Sequence, residues 1–349
     1  MKEGKTGIVF HEDFLLHNNL YHPECKERLV AIMDKLEQKG VLANLPLIVP
    51  QQEAALEKIA LIHGEAYIRS VEQACREGRS QLDMDTYLTP QSYEITRRAV
   101  QGGLDAVEAV MSNKLKKVFA LLRPPGHHAE ANRGMGFCIF NNIAIATRIL
   151  QKEYGLERIM IVDWDVHHGN GTQHVFEEEK EVLFFSVHQS PAYPGTGGLG
   201  ETGKNEGVGY TINAPLPPGC GDEDYLLLFN EIVLPVMDQY KPQILLISAG
   251  QDAYRNDPLA SMNLSKQWYA QMADLLLQGA TKHTGGRMLL FLEGGYNVEA
   301  QADIVFNVLN TIGEWGLPLE EDKQRPGERP SAEGVIRSIK ERHKQYWDI

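Results

Sequence analysis

The stretch IVDWDVHHGNGT, residues 161–172, combines two acidic residues and a histidine at alternate positions after a short apolar run. Successive side chains of an extended strand point to opposite faces, so Asp163, Asp165 and His167 are expected on one face. Two acids and a histidine at the end of an apolar strand are destabilising unless a cation or hydrogen bonds satisfy them. The spacing therefore predicts one half of a metal site.

A catalytic metal ion typically has three protein ligands and one open position for water or substrate. Either Asp165 or Asp163 supplies a carboxylate beside His167, and Asp252, which follows a later apolar run, is the candidate third ligand. Two carboxylates and an imidazole suit Zn2+, and Fe2+ and Co2+ accept the same ligand types. Each aspartate taken alone is better explained as the cap of a turn or helix. The cluster as a whole favours the metal site.

The adjacent histidines His127 and His128 follow the rigid Pro-Pro-Gly segment 124–126. Neighbouring side chains point apart, so the pair suits one catalytic base and one neighbour held by hydrogen bonds better than two ligands of one ion. Tyr296 follows two glycines, and its phenol could donate a hydrogen bond to a developing oxyanion. The non-catalytic alternatives are two loop histidines and an aromatic ring packed over the sheet.

Aromatic residues stand beside glycines in two further segments, Phe137 in GMGFC and Tyr193 in PAYPG. They could form facing walls of a narrow slot for an aliphatic chain, although loop packing alone explains each nearly as well. The sequence contains neither a GxSxG elbow nor a GKS or GKT phosphate loop. Acyl-serine hydrolysis and nucleotide phosphoryl transfer therefore lack their usual signals.

The chain carries 34 basic and 47 acidic side chains, a formal net charge of −13. This balance gives no electrostatic support for nucleic-acid binding, and no apolar run approaches the roughly 18 residues that a membrane span needs. The four cysteines lie far apart without a CxxC pair, which favours free thiols in a reducing compartment. The first apolar run is too short for a signal peptide. We therefore expect a cytoplasmic protein that binds neither nucleic acid nor membrane.

Short apolar runs followed by glycine or polar residues are typical of strands buried on both faces of a parallel sheet. They lie at residues 7–10, 118–122, 159–162, 182–187, 210–212, 244–247 and 288–292. Helical patterns alternate with them at residues 29–36, 93–111, 141–154, 224–240, 265–284 and 332–346. This alternation predicts an α/β fold with a mainly parallel sheet, whose ligands bind beyond the carboxyl ends of the strands. We expect one catalytic domain over residues 1–315 and a polar extension, 316–349, that ends in a helix packed on or beside the domain.

Six motifs occur in the order RPPGHHAE, GFCIFNN, VDWDVHHGNGT, YPGTG, SAGQDA and EGGYN. Together they resemble the histone deacetylase superfamily, which includes acetylpolyamine amidohydrolases and acetoin-utilisation proteins, over about residues 7–310. HHGNGT and RPPGHHA are more similar to the class II and bacterial branch than to class I. The resemblance implies a single-domain arginase/deacetylase fold with a central sheet of about eight strands. It also implies hydrolysis of an acetyl or short acyl amide, such as acetyl-lysine or an acetylated polyamine.

The resemblance also implies roles for the polar residues at the strand ends. One Zn2+ per chain is held by Asp165, His167 and Asp252, whereas Asp163 is the buried partner of His127. His128 is the principal general base and acid, His127 is electrostatic or assisting, and Tyr296 polarises the scissile carbonyl. Asn170 stands where some branches of the family have an aspartate behind the second histidine.

For the substrate, the resemblance implies that the backbone carbonyl of Gly136 accepts the amide N–H and that Phe137 and Tyr193 flank the acyl chain. Asp85 resembles a rim acid that holds the substrate, with Asp83 as the alternative. Arg28 resembles the arginine of an acetate-exit channel, with a helix-surface arginine as the alternative.

The family also binds structural monovalent cations, K+ or Na+. The resemblance implies an inner site whose residues are Asp163, Asp165, His167, Ser186 and Val187. It implies an outer site whose residues are Phe176, Glu179, Val182 and Tyr210.

Two other functions remain as alternatives. A binuclear manganese ureohydrolase of arginase type shares the fold, but it needs further acidic ligands; Gly169 follows His167 by two positions, and Ala253-Tyr254-Arg255 follow Asp252. A catalytically silent module that binds an acylated ligand is the second alternative. The sequence leaves the oligomeric state open, and a homo-oligomer is compatible with it.

Overall fold

The computed structural model describes residues 6–322 and 331–349. Its centre is one sheet of eight strands in which all neighbouring pairs run parallel. The strands are β1 Thr6–Val9, β2 Leu47–Ile48, β3 Lys117–Ala120, β4 Ile159–Asp163, β5 Val182–Gln189, β6 Thr211–Leu216, β7 Ile244–Ala249 and β8 Met288–Leu292. The predicted parallel α/β sheet of about eight strands is confirmed.

Helices between the strands flank this sheet. The α-helices are α1 Glu27–Gln38, α2 Leu56–Ile59, α3 Glu65–Arg76, α4 Ser92–Met111, α5 Asn142–Tyr154, α6 Asn170–Phe176, α7 Asp222–Leu228, α8 Leu234–Tyr240, α9 Lys266–His283, α10 Val298–Ile312 and α11 Glu333–His343. A π-helical turn, Phe229–Val233, joins α7 to α8, so the single helix predicted at 224–240 has three parts. In the described part of the chain, no helix has both the length and the apolar character needed to cross a membrane.

The seven predicted strands exist because their apolar runs are buried on both faces. Every residue of β4, β7 and β8 is buried, as expected of central parallel strands. The sequence pattern missed β2, a two-residue edge strand whose side chains are half-exposed or exposed. It also missed α10, in which almost every residue is buried, the polar Asp303 and Asn307 included.

The strand order brings the polar strand ends together. The sheet runs β2-β1-β3-β8-β7-β4-β5-β6, so the five strands followed by candidate site residues, β3, β8, β7, β4 and β5, are consecutive. Because they are all parallel, their carboxyl ends lie on one edge of the sheet. The predicted convergence of these strand ends is therefore confirmed.

The extended strand predicted through Asp165 and His167 is wrong. Strand β4 ends at Asp163, whose Oδ1 accepts a hydrogen bond of 3.1 Å from the backbone N–H of Asp165. Asp165 Oδ1 in turn accepts the backbone N–H of His167 at 2.9 Å. These side chain-to-backbone bonds compete with the extended conformation and turn the chain, so the acidic residues are gathered by turns and not by the pleat of a strand.

The last helix packs against the edge of the sheet at β6 and against α7. Lys340 of α11 lies 2.9 Å from Glu231, and the indole N–H of Trp347 donates to the carbonyl of Gly209 at 2.8 Å. Residues 323–330 of the predicted extension lie outside the described residues. A domain boundary at residue 316 stays a prediction.

Candidate metal centre and active site

Asp165, His167 and Asp252 form a cluster in which one ligand atom of each residue lies within 4.8 Å of the others. His167 Nδ1 lies 3.2 Å from Asp165 Oδ1 and 3.1 Å from Asp252 Oδ2. Atoms bound tetrahedrally to one Zn2+ at about 2.0–2.1 Å lie roughly 3.3 Å from each other. The donor types and the spacing therefore fit a Zn2+ ion.

Backbone N–H groups orient the two carboxylates of this cluster. Gly294 donates to Asp165 Oδ2 at 2.7 Å, and Val166 donates to Asp252 Oδ1 at 2.9 Å. In Asp252 one oxygen is thus bound by the backbone and the other faces His167, whereas Asp165 Oδ1 faces His167 Nδ1 and also accepts the His167 backbone N–H. The backbone of Gly294 can approach this closely because glycine has no side chain. A Cβ at this position would lie only 2.1 Å from Asp252 Oδ2.

Asp163 contacts His127 and not His167. Its Oδ2 lies 2.9 Å from His127 Nδ1, and its Oδ1 accepts the N–H of Asp165. Of the two pairings that the spacing left open, the structure therefore places Asp165 against His167 and Asp163 against His127.

The adjacent histidines have opposite electrostatic environments. Burial would lower the pKa of His127, but the carboxylates of Asp163, Asp165 and Glu293 outweigh burial and raise it to about 10. Burial lowers the pKa of His128 well below its ordinary value, and the neighbouring His127 and His167 lower it further. His127 is therefore a cation and His128 is a neutral imidazole at neutral pH.

Asn170, at the start of α6, lies directly behind His128. Its Oδ1 is 2.8 Å from His128 Nδ1, and its side chain is buried. The Nδ1 of His128 is therefore bound to Asn170, and the ring centroid of His167 lies 6.0 Å from that of His128.

Tyr296 lies in the loop after β8, where Gly295 has a φ of +118° that side-chain-bearing residues rarely adopt. The Tyr296 backbone N–H donates to Asp257 Oδ2 at 2.7 Å. Burial raises the pKa of the Tyr296 phenol well above its ordinary value, so the hydroxyl keeps its proton and can donate a hydrogen bond.

Phe137 and Tyr193 both contact the groups around the metal cluster. The Phe137 ring packs edge-on against Tyr296 with centroids 5.6 Å apart. Tyr193 packs edge-on against His128 at 5.2 Å and lies 6.3 Å from His167. Gly136 is close to the same histidine, since a Cβ on it would lie 2.5 Å from His128 Cδ2. The structure thus brings Gly136 and Tyr193 together with His128, and Phe137 together with Tyr296.

Arg28 is buried, not on a helix surface. Its Nε donates to the Gly295 carbonyl at 2.8 Å, its Nη1 lies 3.1 Å from Glu24, and its guanidinium carbon lies 5.1 Å from the Tyr296 ring centroid. The surface alternative for Arg28 is therefore wrong. Asp85 is half-buried, and its Oδ1 accepts the backbone N–H of Gly136 at 3.1 Å.

In the predicted inner cation site, Asp163 of β4 pairs in register with Ser186 of β5, whereas Asp165 and His167 lie in the turns that follow β4. Ser186 Oγ lies 2.9 Å from His188 Nδ1. In the outer group, the Phe176 carbonyl accepts the Glu179 N–H at 3.0 Å, and the Glu179 carboxylate binds Arg148 at 2.8 and 2.9 Å. Both cation sites stay predictions.

Sequence reasoning missed three carboxylates that contact site residues. Glu293 Oε2 accepts the N–H groups of Gly126 and His127 at 2.7 and 3.2 Å. Asp257 holds the backbone of Tyr296, and Glu130 contacts Asn170. Two of the three lie inside motifs that carry the family resemblance, Glu130 in RPPGHHAE and Glu293 in EGGYN. Position in a motif was thus the available signal, but it does not indicate which atoms a carboxylate contacts.

The family model described as "Histone deacetylase domain" matches residues 22–312 of this chain. A protein of Archaeoglobus fulgidus called "Probable deacetylase" is 44% identical over 296 residues, which cover 84% of this chain and 82% of that protein. The human "Polyamine deacetylase HDAC10" is 35% identical over 332 residues, which cover 90% of this chain and 49% of that protein. The crystal structure of the HDA15 HD domain superposes with a TM-score of 0.90 at 33% identity, and the match covers 99% of this chain and 96% of that domain.

Proposed function

The chain belongs to the histone deacetylase family, and from that premise we propose that it is a zinc-dependent amide hydrolase that removes an acetyl or short acyl group from an amine. The observation that carries the proposal is the metal-ligand cluster beside a neutral histidine. His167 lies within 3.2 Å of both carboxylates, and the imidazole of His128 lies beside it with its Nδ1 bound to Asn170. The cluster can hold a metal ion, and the imidazole of His128 can accept a proton.

Asp165, His167 and Asp252 would hold the Zn2+. When bound there, the ion supplies Lewis acidity, which polarises an acyl carbonyl and makes water a better nucleophile at neutral pH. The two carboxylates and the neutral imidazole would leave a net charge of zero on the occupied site, which suits a buried position. Fe2+ and Co2+ remain compatible with the same ligands.

His128 acts as the general base. A proton on Nδ1, donated toward Asn170, leaves the lone pair of Nε2 free to accept a proton from the attacking water. The depressed pKa of His128 keeps it neutral before the reaction. His127, charged and bound to Asp163, contributes a fixed positive charge near the developing oxyanion.

Tyr296 acts as the oxyanion donor. Its protonated hydroxyl stabilises the negative charge that develops on the acyl oxygen when water attacks. The protonated His128 then gives its proton to the amine nitrogen as the C–N bond breaks. The amide and one water thereby yield a carboxylate and a protonated amine.

The amine portion of the substrate would run past Phe137 and Tyr193, with its N–H on the carbonyl of Gly136 and its far end near Asp85. Arg28 would serve the channel through which acetate leaves. An acidic rim favours a substrate with a positive charge beyond its acyl amide. An acetylated polyamine keeps such a charge on its free amino groups, and an acetyl-lysine peptide has one where basic residues flank the acetyl-lysine. We propose an acylated amine as the partner, K+ or Na+ as structural cations, and a cytoplasmic location.

The test is turnover by zinc-loaded protein of an acetyl-lysine peptide and of an acetylated polyamine, measured side by side. We expect acetate release from at least one of them, one tightly bound Zn2+ per chain, and loss of turnover on chelation that zinc restores. Turnover that survives removal of all metal would contradict the proposal. Two tightly held ions per chain would favour the ureohydrolase, and bound zinc without turnover across a panel of acyl amides would favour the silent binding module.

A further inference from the structure

We propose that Glu130 is a positioning residue for catalysis that fixes the tautomer of His128 by orienting the amide of Asn170. The inference rests on the proposed function, since it concerns how the general base of that reaction is held. Glu130, Asn170 and His128 form one continuous line of hydrogen bonds that starts near the protein surface and ends at the candidate base.

The first step is the orientation of the amide. Asn170 Nδ2 donates to Glu130 Oε1 at 2.5 Å and lies 3.3 Å from the carbonyl oxygen of His128. Both of these atoms can only accept hydrogen bonds when Glu130 is ionised, so the group that faces them must be the NH2. The carbonyl Oδ1 of Asn170 is therefore turned toward His128.

The second step is the tautomer of the histidine. Asn170 Oδ1 lies 2.8 Å from His128 Nδ1, and an amide oxygen accepts but cannot donate. Nδ1 must therefore carry the proton, and Nε2 must carry the lone pair. A freely rotating amide would also offer its NH2 to Nδ1, which would stabilise the opposite tautomer and leave Nε2 protonated, unable to act as a base.

The third step is the ionisation of Glu130. Burial would raise the pKa of its carboxyl, but the hydrogen bonds from His174 and Asn170 outweigh burial and lower it. His174 Nδ1 lies 2.8 and 3.0 Å from the two carboxylate oxygens. Glu130 is consequently an acceptor, as the orientation of the amide requires.

Glu130 differs from Asp163 in its distance from the base it serves. Asp163 contacts His127 directly, and that contact favours the charged imidazolium. Glu130 contacts its histidine through a neutral amide, which selects a tautomer without stabilising the cation to the same degree. The two carboxylates therefore act on their histidines in different ways, one by direct contact and the other through an amide.

Glu130 can be exchanged without disturbing the core. It lines a surface cavity of about 200 Å3 together with His174, Arg148 and four other residues, and a quarter of its side chain is exposed. Glu130→Gln keeps the shape of the side chain but offers Asn170 either an oxygen or an NH2. Only the His128 carbonyl, 3.3 Å from Asn170 Nδ2, then still favours the original orientation of the amide.

We expect Glu130→Gln to lower kcat at least about 10-fold with KM and zinc content unchanged, the scale seen when a partner behind a metal-site group is lost. The 15N chemical shifts of His128 should change from a single Nδ1–H tautomer to a mixture. Glu130→Asp keeps an acceptor and should recover part of the activity. Glu177→Gln is the matched control, because Glu177 pairs with Lys204 beyond the other end of α6 at 2.6 Å, and it should leave kcat and the tautomer unchanged.

An exchange of partners separates positioning from folding. Asn170→Asp alone would place two carboxylates in contact and should inactivate the enzyme, whereas Asn170→Asp combined with Glu130→Gln restores one acceptor toward His128 and one donor behind it. The double variant should therefore be more active than Asn170→Asp alone. The inference is overturned if wild type turns over substrate but Glu130→Gln keeps wild-type kcat and a single His128 tautomer. It is also overturned if the double variant recovers nothing. Absence of turnover by zinc-loaded wild type would instead contradict the proposed function.

Discussion

Asp257 accepts a hydrogen bond of 2.7 Å from the backbone N–H of Tyr296. The same oxygen, Oδ2, lies 3.3 Å from the N–H of Asn297, while Oδ1 accepts the N–H of Leu259 at 2.9 Å. One carboxylate thus ties the loop after β7 to the loop after β8. Asp257 thereby positions Tyr296, the candidate oxyanion donor, relative to Asp252, which precedes Asp257 by five residues in the chain.

Asp257→Asn should lower kcat between about 10- and 100-fold. An amide has only one acceptor oxygen, so the variant must release one of the two loops. Displacement of a catalytic group by about 1 Å has effects of this size. Steady-state kinetics on the best acyl substrate would measure the loss. Zinc content should remain one per chain. Asp274→Asn is the control, since Asp274 is exposed on α9 and accepts a hydrogen bond from Gln278 Nε2 at 2.8 Å, outside both loops; equal kcat values for the two variants would refute the positioning role of Asp257.

Tyr296→Phe should lower kcat by roughly 10²–10³-fold, the usual effect of removing one oxyanion donor. The ring that packs against Phe137 and Arg28 is kept, so KM and thermal stability should change little. Single-turnover rates at saturating substrate would check this without interference from product release. A variant within threefold of wild type would show that the phenol plays no part in the chemical step.

Gly294→Ala should weaken zinc binding at least about 10-fold, as expected when a contact that orients a metal ligand is lost. A Cβ at this position would lie 2.1 Å from Asp252 Oδ2 and 2.6 Å from Asp165 Oδ2, so both ligand carboxylates must move. Competition with a chromophoric chelator would measure the affinity. Gly200→Ala is the matched control, because a Cβ there meets no atom within 4 Å; the prediction fails if both variants bind zinc as wild type does.

Two buried histidines, His63 and His17, should make the folded protein less stable as the pH falls below about 6.5. Burial lowers the pKa of His63 from 6.5 to about 4, and its Nε2 accepts the Asn141 N–H at 2.8 Å, an interaction that a proton on Nε2 would abolish. Burial also lowers the pKa of His17, to about 3. Below pH 6.5 these two histidines bind protons in the unfolded chain but not in the folded chain, so their contribution to the free energy of unfolding falls as the pH decreases from about 6.5 toward 4.

Each such histidine contributes a slope of at most about 1.4 kcal/mol per pH unit in that window. Urea unfolding between pH 7.5 and 4.5 would measure the dependence. His63→Gln should reduce the slope, even if it lowers stability at every pH. An unchanged slope in this variant would show that His63 does not resist protonation in the folded state.

The parts of the fold that follow from local patterns could be predicted. Apolar runs identified seven strands, and the rule that parallel strands present their carboxyl ends on one edge brought together the segments after β3, β4, β5, β7 and β8. The two residues of β2 were too few to give a pattern, and α10 was not predicted although its polar residues recur at helical spacing.

Within the site, residue types were easier to predict than contacts. The sequence pattern indicated an Asp-His metal cluster, but spacing alone could not decide between Asp163 and Asp165, because the deciding hydrogen bonds depend on turns after β4. Arginine is usually exposed on helix surfaces, yet Arg28 is buried and bound to Glu24 and Gly295. Glu130 could not be assigned at all, since its partner Asn170 lies 40 positions away.

The position of β8 in the sheet has a consequence for biosynthesis. β8 is the last strand in the sequence, yet it lies between β3 and β7, so both neighbours have an unpaired edge until residue 292 has left the ribosome. Contacts between segments this distant in the chain form late and slowly. The nascent protein should therefore depend on protection of these edges against intermolecular strand pairing, and it should acquire its hydrolytic activity only after β8 has joined the sheet.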